Sequence, residues 1–124
     1  MNTQKQKDLL QMKGSSSLIH KKEINMKDVR ITVMTRAEHH DLIEKYENPI
    51  EHACEMEIGK VYISHDAQKP DNFCNEAWTC MEKFVKELAN GGGNFFDGWM
   101  KDPYSAMVSC NDGFRPVSYY LEVI

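Results

Sequence analysis

The clearest amphipathic pattern in the chain lies between Asn75 and Asn90, which read NEAWTCMEKFVKELAN. Apolar residues recur there every three or four positions, and charged residues occupy the other side. This spacing predicts one long amphipathic helix. The run Gly91-Gly92-Gly93 that follows predicts a left-handed cap at its C-terminal end. The apolar set comprises Ala77, Trp78, Met81, Phe84, Val85 and Leu88.

The chain before this helix predicts two strands and a short helix. Val29, Ile31 and Val33 alternate with polar residues, which is the period of a half-buried strand. Residues 39 to 47 carry apolar side chains at helical spacing and predict a short helix. A short apolar run at residues 61 to 63 predicts the second strand.

The chain after the long helix predicts a β-hairpin. Residues 106 to 110 and 117 to 123 both alternate, and Asn111-Asp112-Gly113 between them is a turn signal. The resulting order, β-α-β-α-β-β, predicts an α+β fold. We expect a small, mainly antiparallel sheet of about four strands, with the long and the short helix packed on one face.

The N-terminal 25 residues differ in composition from the rest of the chain. They hold five lysines against two acidic residues, together with Ser15-Ser16-Ser17. This composition is typical of a flexible extension. The segment from Met26 reads like a protein start that leads into a strand. We therefore expect an extension over residues 1–25 and a single α+β domain over residues 26–124.

Charge and hydropathy exclude two classes of partner. Residues 26 to 124 hold 10 basic and 17 acidic residues, within a net charge of -4 for the whole chain. An acidic surface repels phosphate backbones, so nucleic acid is not expected as the main partner. The chain has no apolar run long enough to span a bilayer and no signal-peptide core, so we expect no membrane partner and a cytoplasmic location.

The candidate chemistry lies in the four cysteines, which a cytoplasmic chain keeps as thiols. Cys74 stands just before the long helix, where the helix dipole stabilises a thiolate. Cys110 closes the third strand, and Cys54 with His52 lies in the loop before the second. Together they offer the sulfur and imidazole ligands that suit zinc or iron. The alternative is that these cysteines are buried packing residues, as we expect for Cys80.

Several other residues have candidate supporting roles. Trp78 and Trp99 would shield a thiol site from water. Arg115 would favour a thiolate at Cys110 from across the hairpin. Lys101 and Arg115 could instead bind an anion in a pocket between the glycine run and the aromatic segment that follows it.

That aromatic segment carries too much apolar surface to be left in water. Such a segment packs over the core or forms the buried centre of an interface. It therefore predicts a homo-oligomer or a protein partner. The segment consists of Phe95, Phe96, Trp99 and Met100.

Three motifs resemble a family of small bacterial and archaeal proteins, and the resemblance covers Met26 to Ile124. It implies a chain that begins at Met26. It also implies cysteines matching Cys54, Cys74 and Cys110, but it implies no activity. The motifs are Phe73-Cys74 with Ala77-Trp78, Gly98-Trp99-Met100-Lys101-Asp102-Pro103, and Cys110-Asn111-Asp112-Gly113-Phe114-Arg115-Pro116-Val117.

Taken together, the sequence predicts a thiol-based protein, either metal-binding or redox-active, that uses Cys54, Cys74 and Cys110. The second hypothesis is a non-catalytic oligomeric or partner-binding module that uses the aromatic segment.

Overall fold

The computed structural model describes residues 25–51, residue 54 and residues 56–124. The predicted N-terminal extension lies outside these residues except for Asn25. The α+β fold class and the predicted order of elements are confirmed. The elements are β1 (Val29–Arg36), α1 (His40–Tyr46), β2 (Val61–Ser64), α2 (Asn75–Ala89), β3 (Ser105–Ser109) and β4 (Val117–Val123).

The four strands form one antiparallel sheet in the order β2-β1-β4-β3. The last strand in the sequence is therefore central and pairs on both sides. Its register with β1 runs from Val29 opposite Val123 to Arg36 opposite Val117, with an irregularity between Val33 and Thr35. That irregularity ends the strict alternation of β1.

The core lies between the sheet and α2. Alternate residues of β1 and β4 are fully buried, among them Ile31 and Tyr119, and α2 contacts β1, β3 and β4. Burial at every second position of a strand and every third or fourth position of a helix is what the apolar spacing predicted. The buried residues of α2 are Ala77, Trp78, Met81, Val85, Leu88 and Ala89.

Helix α1 differs from the expectation that both helices cover the sheet. None of its residues is buried, and Leu42 and Tyr46 are 40% and 66% exposed. Backbone contacts tie this region to the β3–β4 hairpin: the N–H of His39 donates to the carbonyl of Phe114 at 2.9 Å. A helix of seven residues offers too little apolar surface to pack as a layer on the sheet. The helix with buried residues is α2.

The glycine run caps α2 as predicted. The N–H of Gly91 donates to Leu88 O and that of Gly92 to Glu87 O, at 3.1 and 2.9 Å, and Gly91 has a φ of +91°. These two bonds and the left-handed residue form a Schellman motif. Gly93 then passes so close to the carbonyl oxygen of Pro103 that a Cβ would overlap with it.

Among the residues that the structure describes, no helix has the length and apolar character needed to cross a bilayer.

Gly93→Ala should lower the free energy of unfolding by about 1–3 kcal/mol, because the new Cβ must displace the Pro103 backbone. Gly113→Ala is the matched control, since nothing lies within 4 Å of its Cβ position. Chemical denaturation of both variants measures the effect. Equal losses in the two variants would mean that the close approach at Gly93 does not constrain the fold.

Candidate thiol site

The site is built on an aromatic cluster at the end of the sheet where α2 begins. Phe73 is its centre, and its ring lies 4.8 Å from that of Tyr62, 6.4 Å from that of Trp78 and 5.6 Å from that of Tyr119. The rings meet edge to face, the arrangement that aromatic quadrupoles favour. Phe73 directly precedes Cys74, so the packing of this ring fixes the start of α2. Trp78 is 8% exposed and belongs to this cluster, beneath the cysteines.

The phenol of Tyr119 is within electrostatic range of the three predicted cysteines. Burial raises the pKa of Tyr119 most, and the charges of Cys110, Cys54, Cys74 and Tyr62 raise it further, in that order. Electrostatic influence falls with distance, so these cysteines lie towards the end of the sheet that contains this phenol.

Cys54 and Cys74 line the same open cavity, which has a volume of about 650 Å³. Cys54 is exposed and Cys74 is half-buried. Lys60 also lines this cavity, with its Nζ 5.2 Å from the centre of the Tyr62 ring. The cavity therefore combines two thiols with one cation, Lys60, and one carboxylate, Glu57.

Cys74 occupies the N-cap of α2, as predicted. Its backbone is extended, with φ of -62° and ψ of 125°, and its carbonyl accepts from the N–H of Trp78 at 3.0 Å. The side chain makes no capping hydrogen bond. The helix dipole is thus available to Cys74, but its sulfur does not cap an amide of the first turn.

Cys110 is half-buried at the end of β3 and takes part in the ladder through its sulfur. Its N–H donates to Val117 O at 3.0 Å, and the N–H of Val117 donates to Cys110 Sγ at 3.3 Å. The sulfur thus accepts the hydrogen bond that a backbone carbonyl oxygen accepts in an antiparallel pair.

Arg115 has a different partner from the one predicted. Its guanidinium bonds both carboxylate oxygens of Glu47, at 3.2 and 3.0 Å, and the two side chains are 15% and 17% exposed. The hydrogen bond to Glu47 is the main reason that the pKa of Arg115 is raised. Arg115 therefore joins the residue after α1 to the hairpin, while the predicted thiolate support at Cys110 is not seen in its contacts.

Arg36 is the cation that the sequence did not single out. Its Nη2 donates to Met56 O at 2.6 Å, and its Nε is buried without a hydrogen-bond partner among the described residues. Arg36 lies opposite Val117 in the sheet, beside the ladder end that contains Cys110. The sequence did not identify Arg36, because the alternation that marks β1 stops at the irregularity before this residue.

The aromatic segment lies towards the C-terminal end of α2. Phe95 packs on Phe84 with ring centres 4.9 Å apart, and Met100 is half-buried. Phe96 and Trp99 contact each other at 5.3 Å and are 75% and 43% exposed. The aromatic neighbour of Trp99 is thus Phe96. Cys74, a residue of the site that Trp99 was predicted to shield, lies at the opposite end of α2.

A cavity of about 440 Å³ does lie between the glycine run and the aromatic segment. Its cation is Lys83, with Glu87 also in the wall, and neither Lys101 nor Arg115 lines it. Lys101 is exposed in the turn that precedes β3. The anion pocket predicted from these two residues is therefore not assembled here.

The expected zinc or iron site has no counterpart in the described residues. Within residues 25–51, 54 and 56–124, no group of three or more His, Cys, Asp or Glu side chains is placed to hold a metal ion. His52, the predicted fourth ligand, lies outside the described residues.

Comparison with known proteins gave no match: no family model, no curated protein and no solved structure resembles the chain. The resemblance to a family of small bacterial and archaeal proteins stays a prediction from its motifs.

Tyr119→Phe should make stability less sensitive to alkaline pH. The unfolded phenol ionises near its ordinary pKa of 10.0, whereas the folded phenol stays protonated to higher pH. The native protein then binds more protons, so its stability is full below pH 10 and falls above it. One such proton gives a slope of about 1.4 kcal/mol per pH unit.

Urea denaturation on both sides of pH 10 measures this slope, and Tyr104→Phe is the control because Tyr104 is 53% exposed. Identical slopes for the wild-type protein and Tyr119→Phe would contradict the environment described for this phenol.

Proposed function

We propose that the protein is a thiol-disulfide redox protein in which Cys54 and Cys74 react and Cys110 is the third thiol of the site. The observation that carries the proposal is that Cys54 and Cys74 line one open cavity. Cys54 is exposed to a reactant, and Cys74 is half-buried behind it. A redox pair needs this combination of an accessible thiol and a sheltered second one.

The reaction that suits this pair is exchange with a low-molecular-weight disulfide. The thiolate of Cys54 attacks one sulfur of that disulfide, the S–S bond breaks, and one thiolate leaves with the electron pair. Cys74 then attacks the sulfur of Cys54 and releases the second thiolate. The two protons of the cysteines pass to the two released thiols. The protein is oxidised by two electrons, and the small disulfide is reduced.

The surroundings of the site support this chemistry. Lys60 lies in the cavity wall together with Glu57, and Arg36 donates to the carbonyl of Met56, another residue of that wall. The aromatic cluster beneath keeps the sheltered side dry, which strengthens these charge interactions. The expected cytoplasmic location is part of the proposal, because glutathione maintains thiols there.

The test is exchange with glutathione disulfide on full-length protein purified without oxygen. Cleavage after glutamate residues places Cys54, Cys74, Cys80 and Cys110 in four separate fragments. Mass spectrometry should find the Cys54 fragment joined to the Cys74 fragment. Cys54→Ser should slow the loss of the free Cys74 thiol by about tenfold or more, since the exposed thiol is then absent. Cys80→Ser is the control and should form the link between Cys54 and Cys74 at the wild-type rate.

Elemental analysis of the same preparation decides between the redox and metal hypotheses. Stoichiometric zinc or iron that is lost from Cys54→Ser and Cys74→Ser would overturn the redox proposal in favour of a metal site. Cys54 and Cys74 that remain thiols in excess glutathione disulfide would also overturn it.

A second candidate function, self-association, is favoured by the exposed pair Phe96 and Trp99. Phe96 is held at a φ of 53° and Asp97 at 50°, a backbone region that bulky residues rarely adopt. Holding an aromatic side chain outward on a strained loop is typical of a binding surface. The occupant that we propose is the same loop of a second copy, as in a two-fold dimer.

Phe96→Ser should then shift the protein from dimer to monomer, because the centre of the interface loses its aromatic anchor. Light scattering after size exclusion measures the mass of the wild-type protein and the variant. Tyr46→Ser is the control, since Tyr46 is 66% exposed on α1. A wild-type protein that is monomeric at high concentration would rule out this second function.

A further inference from the structure

The fourth cysteine, Cys80, lies where α2 meets the β3–β4 hairpin. It is half-buried on α2, one turn after Glu76. The side-chain amide of Asn111 donates to Glu76 Oε1 at 3.4 Å. A turn residue of the hairpin therefore contacts α2 one turn before Cys80, on the helix face that Glu76 and Cys80 share.

Cys110 directly precedes Asn111 and lies in the same seam. It packs against the core together with Val108, on the side of the sheet that α2 covers. After burial, the charge of Cys110 is the largest cause of the raised pKa of Cys80. This influence agrees with the contact that Asn111, the residue after Cys110, makes with Glu76 on α2.

We infer that Cys80 and Cys110 are a second thiol pair, which a low-molecular-weight disulfide oxidises to a disulfide joining α2 to the β3–β4 hairpin. The sequence predicts that Cys80 is a packing residue. The contact between Asn111 and Glu76 instead gives Cys80 a partner 30 positions away along the chain.

The order of reaction follows from the surroundings of each sulfur. Cys110 attacks first, because burial raises the pKa of the Cys80 thiol and so disfavours its thiolate. The small disulfide splits, and one of its thiolates leaves with the electron pair. Cys80 then attacks the sulfur of Cys110 and releases the other thiolate. Two protons pass to the released thiols, so the protein loses two electrons and the oxidant gains them.

This pair needs neither Cys54 nor Cys74, so it is independent of the proposed function. Cys110 is near both groups of thiols. A disulfide between Cys110 and Cys80, formed at the expense of the small disulfide, would therefore remove the third thiol from the site around Tyr119. It would also close a covalent loop that restricts the unfolded chain.

The experiment is oxidation of the full chain with glutathione disulfide, followed by alkylation and cleavage after glutamate. This cleavage separates Cys74 from Cys80 at Glu76. The expected product is the fragment of residues 77–82 joined to the fragment that contains Cys110. The oxidised protein should also have a higher Tm than the reduced one.

The Cys54→Ser/Cys74→Ser double variant should form the same link, and Cys80→Ser should not. Cys110 joined to Cys74 or Cys54, or Cys80 and Cys110 alkylated as free thiols in the wild-type protein, would overturn the inference. A missing link between Cys54 and Cys74 refutes only the proposed function, since the two disulfides give different fragments. The wild-type mapping decides the matter even if a variant fails to fold.

Discussion

The two hydrogen-bonded ladders of β4, one to β1 and one to β3, hold the sheet together. Val117, Tyr119 and Leu121 alternate along this strand, and each is at most 1% exposed. A strand with this pattern in the centre of the sheet brings one complete row of side chains against α2. The position of the candidate site follows from it, because β4 also carries the phenol of Tyr119, whose pKa the charges of the cysteines raise.

The cysteines gather because three element boundaries coincide at this end. Helix α2 begins there with Cys74, β3 ends there with Cys110, and the loop before β2 brings Cys54. Element ends leave backbone groups unpaired and side chains partly accessible. Packing and reactivity are therefore compatible here: the aromatic cluster is buried, while the sulfurs lie at its margin.

The other end of α2 has a different character. The Schellman cap, the close approach of Gly93 to Pro103 and the left-handed residues of the following loop fix the backbone there. That backbone holds Phe96 and Trp99 outward, where they are 75% and 43% exposed. The molecule thus has a thiol-rich end and an exposed aromatic loop, joined by one helix.

The sequence by itself determined the elements, because apolar periodicity is local and each pattern lies within a few turns of chain. It predicted α2, its cap and the hairpin, and it identified Cys74 as the residue before the helix. Only the tertiary structure decided which strands are neighbours, since pairing joins residues that are distant in the chain. For the same reason no local pattern predicts the contact of Asn111 with Glu76, the bond between Arg115 and Glu47, or the bond from Arg36 to Met56 O. They depend on the register of β1 with β4 and on the face that α2 presents to the sheet.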